Sequence, residues 1–277
     1  MRGGIGQRKE VDMLEFGKAL DVGIKRKGKL NQDALKIIRP WRKQPLLVVA
    51  DGMGGFKGGR EASEIVIKTL TNAYKKARRK EPPGEVLKKA ILQAHQVIIE
   101  RSKTEDDLAK MGSTVACVVI DEKNEKLTVA NVGDTRVYLI KPQEIEVISY
   151  DHSEVAELRR KGVLNEVEAR DYIRKNVLTM SLAAHRPADT VNPFVAEVPF
   201  PPGSVVLLCS DGLWGSVPDH LIRLTALEYS PAEAAGKLVE FANTSGGPDN
   251  ISILIARRKG EWKAYRKQYS TSLDDTQ

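Results

Sequence analysis

Three runs rich in β-branched residues follow one another in the middle of the chain, at 114–120, 127–131 and 137–140. The polar links between them, such as 121–126, are only a few residues long. Parallel neighbours need a crossover of about a dozen residues or more, so links this short predict an antiparallel meander and exclude a doubly wound parallel sheet. Helical periodicity precedes the meander. Over 59–80, Ala62, Ile65, Val66, Leu70, Ala73 and Ala77 fall on one stripe of a helix. Pro82, Pro83 and Gly84 break the chain, then Val86, Leu87, Ala90, Ile91, Ala94, Val97 and Ile98 renew the stripe, predicting two helices paired antiparallel. Residues 153–175 are charged and helix-prone, 218–243 read as two more helices, and 205–209 and 251–256 read as buried strands. The expected fold class is α+β, with antiparallel sheets covered by helices.

Composition narrows the setting. With 277 residues, 41% hydrophobic and 29% charged, the chain suits a soluble globular protein with a sizeable core. One domain is expected over 13–259. The Gly/Arg-rich residues 1–12 and the Ser/Thr/Asp tail 260–277 are expected to be flexible extensions. The longest apolar runs, 46–50 and 205–209, fall far short of the roughly 20 residues of a membrane span. No signal core precedes them, so a cytoplasmic protein without membrane contact is expected. Cys117 and Cys209 lie in strand-like runs with no metal-ligand spacing, and read as core residues of a reducing compartment. Net charge is +7, with basic clusters at 25–29, 75–80 and 257–267. These suit solvated faces or an acidic partner such as a phosphoprotein. Aromatic residues do not interleave with them, so nucleic acid is not expected.

The chemistry lies in where the aspartates fall. The run 46–50 ends in Asp51-Gly52, 205–209 ends in Ser210-Asp211-Gly212, and 127–132 ends in Gly133-Asp134. Asp249 stands just before 251–256, and in an antiparallel sheet the start of one strand lies beside the end of its neighbour. All four can therefore share one edge. Carboxylates crowded together repel, and such a cluster persists when a cation neutralises it; oxygen ligands alone select Mg²⁺ or Mn²⁺ over Zn²⁺. Each Asp-Gly taken singly is a common turn. The glycine-rich 52–59 lacks the third glycine of a dinucleotide loop, where Lys57 stands, and has no Gly-Lys-Ser/Thr. His95, His152, His185 and His220 show no ligand spacing, and no Gly-x-Ser-x-Gly elbow occurs.

The ordered series Asn31-Gln32-Asp33-Ala34, Val49-Ala50-Asp51-Gly52-Met53-Gly54-Gly55, Gly112-Ser113-Thr114, Ala130-Asn131-Val132-Gly133-Asp134-Thr135-Arg136, Asp151-His152-Ser153, Ser210-Asp211-Gly212-Leu213-Trp214 and Asp249-Asn250-Ile251 resembles the metal-dependent Ser/Thr protein phosphatases of the protein phosphatase 2C (PPM) type. Short loops, and Met53 where eukaryotic members usually carry His, look like the bacterial branch. The resemblance implies an antiparallel β-sandwich flanked on both faces by antiparallel helix pairs, a four-layer α-β-β-α arrangement. It further implies a centre of two Mn²⁺ or Mg²⁺ ions, with a third in bacterial relatives. Asp51 would bridge two ions, the Gly52 carbonyl would bind the second, and Asp211 and Asp249 would complete the first. Asp33 would hold metal-bound water, Asp134 with Asp211 would bind the third ion, and 154–180 would be the mobile flap.

What the resemblance implies chemically is attack on phosphorus by a metal-activated water, with no nucleophilic side chain. Two cations about 3.5–4 Å apart suffice to lower the pKa of a shared water and clamp the phosphoryl oxygens. The sequence departs from the family at three places. Counting back five from Asp33, where the family has its phosphate-binding Arg, lands on Gly28, so Arg26, Lys27 and Lys29 become the candidate phosphate-binding cations. A Lys does not reproduce the bidentate guanidinium fork. Met53 has no proton to give the leaving alkoxide, and Met180 and Ala183 stand where relatives usually carry Arg and Gly. The expected function is hydrolysis of phosphoserine and phosphothreonine in proteins, the products of Ser/Thr kinases, by a monomer. A catalytically weak phosphoprotein-binding or regulatory module and a small-molecule phosphatase on the same scaffold are the alternatives.

Overall fold

The run 46–50 is apolar at every position because both of its faces are covered. Leu46, Val48 and Ala50 point towards a pair of helices, while Leu47 and Val49 point towards a second sheet. The computed structural model describes residues 14–260 apart from 40–43, 79, 166, 167, 170, 171 and 175, so the expected extensions 1–12 and 260–277, Gly260 apart, lie outside the described residues. In chain order the strands are β1 (Leu14–Asp21), β2 (Ala34–Ile38), β3 (Leu46–Ala50), β4 (Gly52–Met53), β5 (Gly112–Ser113), β6 (Val115–Asp121), β7 (Lys126–Val132), β8 (Arg136–Ile140), β9 (Ile145–Val147), β10 (Leu182–Ala183), β11 (Phe194–Pro199), β12 (Val205–Cys209) and β13 (Ile251–Arg258). The helices are α1 (Phe56–Lys76), α2 (Pro83–Ser102), α3 (Glu154–Arg160), α4 (Asp211–Trp214), α5 (Asp219–Glu228) and α6 (Pro231–Thr244).

One five-stranded sheet runs β11-β7-β6-β3-β2, the other β1-β13-β12-β8-β9, and a small one runs β10-β5-β4; every pairing is antiparallel. Between the large sheets Leu47, Val118, Val129, Val206, Leu208 and Leu254 form a sealed apolar layer. On the outer face of the first sheet lie α1 and α2, and on that of the second α5 and α6. The order α-β-β-α is thus the expected four-layer sandwich. Each buried Val or Leu contributes roughly 1.5–3 kcal/mol relative to exposure, and β3 and β12, covered on both faces, are apolar throughout. Helix starts follow local chemistry. Pro83 occupies the first turn of α2, where a missing N–H costs nothing, and Ser230 and Glu233 close a capping box on α6.

The structure corrects the meander. Strands β6 and β7 pair as expected, but β8 does not continue their sheet; it pairs with β12 and β9 in the other one. Gly133 turns the chain across, at φ +100°, and a Cβ there would stand 2.5 Å from Thr114 Cβ. Gly52 is equally constrained by close approach, since an added Cβ would lie 2.0 Å from the Gly59 carbonyl oxygen and 2.6 Å from that of Gln32. Gly52→Ala is therefore expected to destabilise the fold by more than the roughly 1–3 kcal/mol typical of core overpacking, measured by calorimetry.

Candidate active site

The ends of β3, β7 and β12 and the start of β13 meet at one end of the sandwich, and each carries its aspartate there. Asp51 follows β3, Asp134 follows the Gly133 turn, Asp211 opens α4 directly after β12, and Asp249 precedes β13. All four line a cleft of about 530 Å³, with Gly52 and Thr114 on its wall. Asp33 sits behind it, wholly buried, just before β2.

Short polar staples hold these loops. Asn31 Oδ1 accepts from the Asp33 amide at 2.9 Å, and Asn250 Oδ1 accepts from Gln32 N at 2.8 Å. The Asn250 side chain in turn donates to the Val22 carbonyl at 3.0 Å. Thr114 N and Ser113 Oγ both donate to the Asp51 carbonyl, at 2.8 and 2.9 Å. Trp214 Nε1 donates to the Asp134 carbonyl at 3.0 Å, and the Arg136 guanidinium lies 3.7 Å over the Trp214 ring while pairing with Asp151 at 3.1 Å. Asp134 is thereby fixed by a ring that is itself clamped.

The carboxyl groups are electrostatically uncomfortable. Burial, and then the charge of Asp33 and Asp211, hold Asp51 well above the usual carboxylate range. Burial and the charges of Asp134 and Asp249 do the same to Asp211. Asp33 is pushed up to about 6, mainly by burial, against the opposing hydrogen bonds of Ser210 and Ser252; Ser210 Oγ donates to its Oδ2 at 2.8 Å. Burial and the neighbouring Asp151 push Asp134 up to about 7. Asp33 Oδ1 and Asp211 Oδ1 are buried without a hydrogen-bond partner. Buried acceptors without donors, in a set of hard oxygen ligands that repel one another, fit a divalent cation. The four aspartates line the cleft without closing on one point: among the described residues no group of three or more His, Cys, Asp or Glu is gathered tightly enough to hold a metal ion by itself.

A family model described as protein phosphatase 2C matches residues 23–241. The chain belongs to the protein phosphatase 2C family. The serine/threonine phosphatase stp of Listeria innocua is 34% identical over 232 residues, 82% of this chain and 90% of that protein. Stp1 of Staphylococcus aureus superposes with a TM-score of 0.81 at 29% identity, covering 90% of this chain and 96% of that one. The catalytic domain of the phosphatase PstP, crystallised with two manganese ions, gives 0.76 at 28% identity, covering 89% and 99%. In this phosphatase 2C chain no helix among the described residues is long and apolar enough to cross a membrane.

The basic rim of the phosphatase differs from the count made on the sequence. Gly28 is exposed and faces open space, so the position five before Asp33 is not where the cleft takes its cation. A 3₁₀ turn over Ile24–Arg26 swings Arg26 inward, where Nη2 donates to Asp249 Oδ2 at 2.9 Å. The 3₁₀ helix ends at Arg26, and a following turn, closed by Lys29 N donating to the Arg26 carbonyl at 2.9 Å, keeps Lys29 beside it. Both line the cleft, as does Lys25 of the same basic segment, which is not among the candidate phosphate-binding cations; Lys27 does not. Asn176 and Leu178, from the 154–180 stretch, also line it, as does Pro248, which carried no sequence signal. Leu178 is tied to Ser153 by an isolated bridge, so the 154–180 stretch begins and ends beside the cleft. Ala183 on β10 gives its carbonyl to buried His95 Nε2 at 3.1 Å. Nothing in the structure explains Met180 in place of Arg.

Proposed function

We propose that the chain is a metal-dependent phosphatase of phosphoserine and phosphothreonine in proteins, and that its active centre is the aspartate cleft. The observation that carries the reading is the convergence of Asp51, Asp134, Asp211 and Asp249 on one cleft with the Arg26 guanidinium at its rim. Asp51, the Gly52 carbonyl, Asp211 and Asp249 would hold two Mn²⁺ or Mg²⁺ ions, and Asp134 with Asp211 a third. Bound there, divalent ions supply Lewis acidity and a nucleophilic water at neutral pH. Asp33, with Oδ1 free of protein donors and Oδ2 held by Ser210, would be left with one oxygen to accept a hydrogen bond from such a water. The names of the similar proteins support Ser/Thr selectivity, and their manganese-bound member supports the choice of ion.

Arg26 binds the phosphoryl oxygens. Its fork, which pairs with Asp249 at 2.9 Å, would turn its parallel donors to a dianion once ions took that carboxylate, and a guanidinium at the rim favours turnover over the weak binding module that Gly28 suggested. Arg26→Ala is expected to raise KM for a phosphothreonine peptide about tenfold, with a smaller fall in kcat. An unchanged KM in steady-state kinetics would reassign phosphate binding to Lys25 or Lys29. The catalytic unit is 13–259, a monomer of the cytoplasm serving the products of Ser/Thr kinases. Phosphate release from the peptide with Mn²⁺, with Mg²⁺ and with EDTA tests the whole reading: release is expected with an ion and absent with EDTA. Equal release in EDTA, or none with either ion, refutes it.

A further inference from the structure

A second groove, of about 410 Å³, lies behind the cleft between α1 and strand β2. Leu20, Leu35 and Ile67 form its apolar floor, and Lys36, Lys68 and Lys75 stand exposed along it. None of the three lysines makes an ion pair among the described residues. Arg60, at the end nearer the cleft, is occupied: it pairs with Glu64 at 2.6 Å, and its Nη1 donates to the carbonyls of Asn31 and Asp33. The groove and the cleft therefore share the 31–34 segment as a common wall, Gln32 lining one and Ala34 the other.

Two further features limit what fits. Among the described residues strand β2 is the last in its sheet, so alternate backbone N–H and C=O groups on its outer edge are not paired by a described strand. From Arg60 to Lys75 the helix rises about 22 Å, the length of roughly seven extended residues. An unpaired strand edge, an apolar floor and three unneutralised ammonium groups match an extended acidic peptide, which supplies main-chain hydrogen bonds and carboxylates together. No aromatic side chain lines the groove, so it offers a nucleic acid no stacking platform.

We propose that this groove docks an acidic, extended segment of the phosphoprotein substrate, adjoining the phosphorylated residue held in the cleft. The inference rests on the phosphatase reading of that cleft, and names the kind of sequence the enzyme prefers around its target. Docking remote from the reacting bond lowers KM and leaves kcat unchanged.

The test compares a neutral phosphothreonine peptide with two longer forms that carry six residues, four of them Asp or Glu, on one side or the other. One long form is expected to show a KM about tenfold lower at low salt, an advantage that fades at high ionic strength. Lys36→Glu, Lys68→Glu and Lys75→Glu combined should erase the advantage, with the rate on the short peptide and the melting temperature unchanged. Fluorescence anisotropy of the unphosphorylated acidic segment gives a second readout that needs no turnover. Equal KM for all three peptides, or no binding of the acidic segment, overturns the proposal. So does an oligonucleotide that displaces the segment and loses its own binding in the triple variant. Failure of the short peptide to release phosphate with Mn²⁺ would instead count against the phosphatase reading, while anisotropy still decides the groove.

Discussion

Asp211→Asn is expected to cut phosphate release by a factor of about 10³ or more and, in the same protein freed of metal, to raise the melting temperature. The two effects share one cause. Asp211 opens α4 with a carboxylate that burial and the charges of Asp134 and Asp249 disfavour, and its Oδ1 has no donor. Asn keeps the shape and removes the charge, so the ion-free fold loses a penalty while the ions lose a ligand. For a chain of this size each kcal/mol relieved raises the midpoint by about 2–4 °C. Calorimetry in EDTA and a phosphate-release assay, on the same preparation, check both halves. Full activity in the variant would remove Asp211 from the metal set. A fall in both activity and stability would show that its charge supports the fold.

The second large effect is on pH. Without metal, stability is expected to decline as pH rises from about 4 to about 7. Asp33 and Asp134 are raised from 3.8 to about 6 and about 7, so between those values the folded state holds protons that the unfolded chain has released. With more protons bound in the native state, the linkage slope is negative: the stabilisation is complete below the unfolded pKa and lost as pH climbs through the folded ones. Asp51 and Asp211 are displaced the same way and extend the decline. Each unit of displacement corresponds to about 1.4 kcal/mol. Saturating Mn²⁺, which binds only the ionised carboxylates, should flatten or invert the slope. Urea midpoints across pH, with EDTA and with Mn²⁺, measure it; a rising slope in EDTA would contradict the crowding of charge at this end of the sandwich.

The interior of the fold was legible because it is covered on both sides. Strands β3 and β12 are unbroken apolar runs, and each stops at an aspartate once it leaves the core, so the sequence displayed the site as a set of strand ends. The periphery was not. Strands β1, β2, β9 and β11 lie at sheet edges with one half-solvated face, and their mixed composition hides the period of two. The passage of β8 to the second sheet was invisible too, since a short turn looks alike whether it closes a hairpin or crosses a sandwich. The place of Arg26 was hidden for another reason. Counting residues assumes a loop of fixed length, whereas the 3₁₀ turn and the exposed Gly28 decide which side chain arrives.

Asp51 hangs from the sheet that carries β3, and Asp211 from the sheet that carries β12. The spacing of the two carboxylates is therefore not a local property of any loop. It is a vernier reading of how the sheets are seated upon each other, and a slip of one residue along a strand, about 3.3 Å, is as large as the distance between the ions the site would hold. Leu47 and Val206, buried in the apolar layer between the sheets, thus belong to the tolerance stack of the active centre. Catalytic accuracy in such an architecture is machined into the hydrophobic interior, and drift there alters chemistry at the rim without touching a polar residue.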